Sequence, residues 1–321
     1  MIETSLTRMF DLSAPIVLAP MGGISGGRLA AAVSVSGGLG LVGGGYGDVA
    51  WLRTELALVR KATTKPWGVG LITWSVDPGI VELVLAHQPH AVMLSFGDSV
   101  PLGRSIKAAG CKLICQVQDL ASARRAVEAG ADLIVAQGSE AGGHGGGRST
   151  LPLVPAIVDA VAPIPVVAAG GIADGRGLAA ALMLGAHGAL IGTRFYASDE
   201  ALGHAAAKQA IVAANGDQTT RTTIFDAVRD LDWPLPYTGR ALRNGFVAKW
   251  HGHECDLAAA LPRERAVYRA ATQQGNVDTA VVWAGEAVDL IHGAEAAADL
   301  VRRIAREAEA QLYNCARLIS E

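Results

Sequence analysis

The chain has 321 residues, 50% of them hydrophobic and 18% charged, with a formal net charge of −3. That is apolar chain enough for a large core, and without a basic cluster nucleic acid is excluded as an expected partner. No apolar run reaches the ~20 residues of a membrane helix. Residues 1–12 carry Glu3, Arg8 and Asp11 where a signal peptide has its apolar core, so a cytoplasmic protein is expected.

Apolar runs alternate with helical patterns from the start. Residues 15–19 read as a first strand and 26–36 as an alanine-rich helix. Further strands are expected at 40–42, 67–72, 91–95, 112–117, 132–137, 165–169 and 188–192. Helical patterns fall at 49–62, 78–86, 102–109, 120–129, 153–161, 175–184 and 200–213. The strands are continuous apolar runs, as parallel strands buried on both faces should be. Such a series predicts a (β/α)8 TIM barrel; an open doubly wound sheet is the alternative. Gly130-Ala131-Asp132 and Gly185-Ala186-His187, each before a strand, form a weak internal repeat. The barrel is expected over 1–214, a covering or substrate segment over 215–260, and helices packing back on the barrel over 261–321. Four cysteines show no disulfide framework.

Active sites of such barrels lie at the C-terminal ends of the strands, and phosphate commonly binds in the loops after the last two. Here these loops contain Gly170-Gly171 and Gly192-Thr193. Bare amides at such turns suit an anion, and the Thr193 hydroxyl adds a donor; plain turn chemistry is the simpler reading. Strand one runs into Pro20-Met21-Gly22, a stiff segment of small residues against which a planar ring fits. Gln116 and Gln137 end strands five and six, where their amides suit a polar ring edge or a solvated strand end equally.

After strand six the chain reads Gly138-Ser139-Glu140-Ala141-Gly142-Gly143-His144-Gly145-Gly146-Gly147. So many glycines fit backbone that must approach something closely. His144 is the one imidazole of these glycine loops, and its ordinary pKa suits proton transfer near neutrality. It is the candidate catalytic residue, with Glu140 either a second polar group or an orienter of the loop. On a strand His251, His253 and Cys255 would share a face, but no fourth ligand accompanies them and no metal is expected.

Together these strings resemble the nitronate monooxygenases, formerly 2-nitropropane dioxygenases, over nearly the whole chain. Ala19-Pro20-Met21-Gly22-Gly23, Ser36-Gly37-Gly38-Leu39-Gly40, Glu140-Ala141-Gly142-Gly143-His144, Ala169-Gly170-Gly171-Ile172 and Gly192-Thr193-Arg194-Phe195 carry the resemblance. It implies non-covalent FMN and a small inserted substrate domain. Pro20, Met21 and Gly22 would lie along the flavin; Gln116, Gln137, Ala141 and Gly142 would face its ring or ribityl chain. Gly170, Gly171, Gly192 and Thr193 would hold its phosphate, and His144 would be catalytic. The implied reaction takes a small-molecule nitronate and dioxygen to a carbonyl compound and nitrite. Two departures stand out: Gly70 where many relatives have asparagine, and Gln116 in place of a lysine seen in some. Flavin-dependent enoyl-acyl carrier protein reductases share the strings and are the rival reading. A flavin-binding protein without turnover is the third, and His144 argues against it.

Overall fold

The computed structural model describes residues 1–316; positions 317–321 of the expected 261–321 segment lie outside the described residues. Eleven strands occur among these: β1 (Ile16–Leu18), β2 (Gly40–Gly45), β3 (Trp67–Ile72), β4 (Ala91–Ser95), β5 (Lys112–Val117), β6 (Leu133–Gln137), β7 (Gly143–Gly145), β8 (Val166–Ala169), β9 (Ala189–Ile191), β10 (Thr219–Thr222) and β11 (Thr238–Leu242). Eight of them form one parallel sheet in the order β1-β9-β8-β6-β5-β4-β3-β2. Val17 bridges in parallel to Leu39, the residue before β2, and so brings the two ends together. The sheet is thus a (β/α)8 TIM barrel, its helices on the outside.

The continuous apolar runs conceal a period of two. Ile16, Leu18, Val92, Leu94, Ile134 and Ala136 pack outward against the helices. Val17, Met93, Ile114, Leu133, Val135 and Val167 point inward and fill the barrel. From the N-terminal end the Ser5–Phe10 helix adds Leu6 and Phe10 to that inner cluster, and the Thr4 hydroxyl donates to His187 O at 2.7 Å. The barrel is plugged below and open above, at the C-terminal ends of its strands.

The remaining strands form a second, antiparallel sheet, β10-β11-β7. Its core is a separate cluster that includes Phe225, Phe246, Trp250 and Tyr268. The Glu254–Gln274 helix runs across position 260 and lies against the Ile224–Arg229 and Gly245–Trp250 helices. The Ala297–Ala316 helix instead packs on the barrel helices Gly175–Met183 and Gly27–Val35. His251 and His253 bracket the turn between two helices and Cys255 lies on the second, so the three do not share a strand face. No grouping of three potential metal ligands occurs among the described residues. All four cysteines are free, and no described helix is long and apolar enough to cross a membrane.

Candidate active site

The glycine-rich stretch after β6 is not a free loop. Its Gly143–Gly145 part is β7, which pairs with β11, Gly239 lying opposite His144. Glycine is depleted in strands, so this strand exists through its partners. Arg221 of β10 donates to Ser139 O at 3.2 Å and to Gly145 O at 2.6 Å, and Arg240 of β11 donates to Ser139 O at 2.9 Å. Burial lowers the pKa of Arg221 to about 10. Two guanidinium groups from the antiparallel sheet therefore fix the segment over the barrel. Glu140 orients it from below: its carboxylate accepts from Thr150 N at 2.9 Å and from the Thr150 hydroxyl at 2.8 Å, capping the Thr150–Val161 helix.

All twelve residues singled out from the sequence line one cleft above the barrel, which holds about 1280 Å³ of unfilled space including its open mouth. Pro20, Met21 and Gly22 form one wall. A Cβ on Gly70 would run into the Pro20 ring, which explains glycine here: an asparagine has no room. Gln137 is spent within the protein. Its Oε1 accepts from Gln116 and Gln118 at 3.1 and 2.9 Å, and its Nε2 donates to His144 O at 2.9 Å. Gln116 keeps its carbonyl oxygen free of partners among the described residues.

Gly170 and Gly171 take φ of +104° and +73°. A Cβ on Gly170 would stand 2.9 Å from Thr150 Oγ1, whereas at Gly171 the nearest atom is Glu140 Cβ at 3.5 Å. The second position thus leaves backbone bare toward the cleft where the protein has room for a side chain. Among the described residues neither the Gly171 nor the Thr193 amide donates to a protein carbonyl. Thr193 Oγ1 accepts from Gly285 N at 3.0 Å, leaving its proton to donate elsewhere. Its neighbour Arg194 is 1% exposed and donates to Ala197 O and Gly293 O, a structural tie rather than a cleft residue.

His144 Nε2 lies 2.9 and 3.0 Å from the two Asp226 oxygens, and both side chains are buried. A carboxylate can only accept, so Nε2 carries the proton and donates. Nδ1 is left as the basic atom, with no hydrogen bond to the described residues. Burial holds the His144 pKa below its ordinary value, Asp226 opposing and Arg229 and Arg221 adding to the lowering. The ring is therefore neutral near pH 7, a base rather than a cation. Trp233 lies flat on it, centroids 3.4 Å apart and planes 3° off parallel, and donates from Nε1 to the Tyr46 hydroxyl at 3.0 Å. Phe96 meets the Trp233 edge at 5.0 Å. Trp283 lies 5.1 Å from His144.

Sequence reasoning missed Asp226, Arg229, Trp233 and Trp283. One signal was readable: in Ile224-Phe225-Asp226-Ala227-Val228 a lone carboxylate sits in an apolar run, which requires a partner once buried.

The chain matches the family model described as Nitronate monooxygenase over residues 3–79 and 74–307. It is 34% identical to a nitronate monooxygenase of Neurospora crassa, over 92% of this chain and 89% of that protein. It is 35% identical, over 77% of this chain and 68% of the relative, to the (3aS,4S,5R,7aS)-5-hydroxy-7a-methyl-1-oxo-octahydro-1H-indene-4-carboxyl-CoA dehydrogenase of Mycobacterium tuberculosis. Among solved structures it resembles FabK of Thermotoga maritima, with a TM-score of 0.89 and 32% identity over 99% of this chain and 100% of that one. The nitroalkane oxidase of Streptomyces ansochromogenes gives a TM-score of 0.82 at 28% identity, over 97% and 100% of the two chains.

Proposed function

Because the chain belongs to the nitronate monooxygenase family of flavin-dependent oxidoreductases, we propose that it binds FMN and oxidises alkyl nitronates with dioxygen to carbonyl compounds and nitrite. The observation that carries this reading is a neutral histidine with a free Nδ1, fixed by a buried carboxylate, at a cleft floored by bare glycine amides.

The residues fit the cofactor. The Gly171 and Thr193 amides and the Thr193 hydroxyl have donor capacity for a phosphate, and Gly170 and Gly192 line the same part of the cleft. Pro20, Met21 and Gly22 offer a flat wall to an isoalloxazine ring. The Gln116 carbonyl, Ala141 and Gly142 face the same space, while Gln137 acts through its tie to the His144 backbone. FMN, when bound, supplies the electron-accepting and oxygen-reducing chemistry; the protein supplies position, charge and dryness. Strands β10 and β11 with the Trp233 segment between them, within residues 215–260, cover the substrate and exclude water.

The donor at Nε2 is committed to Asp226, so His144 meets substrate through Nδ1. For a neutral nitroalkane it takes the α-proton there, and Asp226 stabilises the imidazolium that results. A nitronate supplied ready-made has already lost that proton and needs no such step.

Aerobic incubation of the FMN-loaded protein with propyl-2-nitronate should give acetone and nitrite, with FMN released on denaturation. Folded protein that takes up no FMN, or yields no nitrite, contradicts the reading. Enoyl reduction is the second reading, favoured by the likeness to FabK; it requires hydride from a nicotinamide cofactor.

A further inference from the structure

A nitronate is an anion, and its negative charge sits on two oxygens in one plane. His144, held neutral and donating its one proton to Asp226, offers that charge no cation. The cleft contains another candidate. Arg229 lines it together with His144, Tyr46, Trp233 and Trp283. It stands three residues after Asp226 on the Ile224–Arg229 helix, so the two side chains share a face. One grips the catalytic histidine while the other reaches the same space.

The neighbouring carboxylates are committed elsewhere. Asp226 is paired with His144, and Asp230 with Arg265. Among the described residues Arg229 makes no ion pair. Other arginines close to the cleft are spent on the fold: Arg221 and Arg240 on loop carbonyls, Arg194 on Gly293. The Arg229 guanidinium instead lies 6.0 Å from the centre of the Trp283 ring, a platform that supports a cation without neutralising it. Its charge also opposes the rise that burial imposes on the Tyr46 hydroxyl.

We propose that Arg229 is the substrate-binding cation of this site, selecting a planar oxyanion by a two-pronged contact to its oxygens. The inference rests on the nitronate reading for the identity of the substrate. A guanidinium fork matches two oxygens in one plane, which a lysine ammonium does not. Proton transfer to His144 then occurs beside a cation already placed for the charge that develops on the nitro group. Trp233 and Trp283 line the same space, so the alkyl part of the substrate lies against aromatic side chains.

Nitrate, a planar oxyanion that cannot be oxidised, separates binding from turnover. The experiment titrates nitrate into FMN-loaded wild type, Arg229→Gln and Arg229→Lys at constant ionic strength held with chloride. The visible flavin spectrum is followed, and KM and kcat for propyl-2-nitronate are measured alongside. Wild type should show a saturable nitrate perturbation competitive with nitronate. Arg229→Gln should weaken nitrate and raise the nitronate KM by about 10- to 100-fold, with kcat changed less. Arg229→Lys should recover part of the affinity, which shows that the site survives substitution. Wild-type nitrate affinity and KM in Arg229→Gln overturn the proposal, as does a wild type that nitrate does not perturb. A wild type inert to nitronate whose nitrate binding still needs Arg229 sinks the reaction and leaves the anion site standing.

Discussion

Asp226→Asn tests the histidine pair most sharply, because it changes one atom and little volume. The lost interaction is a buried, charge-assisted hydrogen bond to His144 Nε2 at 2.9 Å. Such bonds contribute about 1.5–3 kcal/mol. At ~1.4 kcal/mol per tenfold, kcat/KM for nitroethane should fall roughly 10- to 150-fold. A carboxamide can also turn its NH₂ toward Nε2, which moves the ring proton to Nδ1 and removes the basic atom; the loss then reaches the ~10²–10⁴-fold of a missing general base. Propyl-2-nitronate has no proton to surrender and should lose less. The pH profile adds an independent sign. Nitroethane turnover needs neutral His144, so it falls as pH drops through a pKa that burial already lowers. Asp226 opposes that lowering, so in the variant the acidic limb moves further to low pH. A fully flavin-loaded variant with wild-type nitroethane kinetics and an unmoved limb refutes the argument.

His144→Ala should retain FMN, since its side chain bonds to Asp226 and makes no hydrogen bond to the Gly171 or Thr193 turn, and lose about 10²–10⁴-fold in nitroethane turnover; the flavin spectrum and initial rates check both halves. Gly171→Asp has room, Glu140 Cβ being 3.5 Å from the new Cβ, and Asp tolerates positive φ better than most residues. It should fold with a modestly lowered Tm yet purify colourless, because a carboxylate would face the phosphate. Gly70→Asn drives a side chain into the Pro20 ring. Overpacking of this kind costs about 1–3 kcal/mol, to be read as a lowered Tm together with weaker flavin retention.

The barrel was legible because parallel strands covered on both faces leave long apolar runs, and because several of the runs lead into glycines, as β6, β8 and β9 do. The inward and outward alternation inside the runs was not, since both faces are apolar: Val17 and Leu18 look alike until the sheet curls. The cleft residues could be placed because each follows a strand, and topology alone brings strand ends together. β7 was hidden by its glycines, which read as a loop until Arg221 and Arg240 of another sheet take hold of it. Asp226 and Arg229 come from a segment without a period. The contact to His144 spans 82 residues of sequence, and no local spacing encodes it. The expected boundary at 260 fell inside a helix because the pattern there is polar at its start, Glu254 and Asp256 lying in the first turn.

Anaerobic mixing of the FMN-loaded protein with propyl-2-nitronate in one vessel and with NADPH or NADH in another tests the central claim most directly. An enzyme that takes its electrons from the organic anion should lose its visible flavin absorbance in the first vessel and release nitrite once air is admitted, with slow or no change in the second. Rapid bleaching by the nicotinamide cofactor together with inertness to the nitronate would contradict the account and make enoyl reduction the better reading.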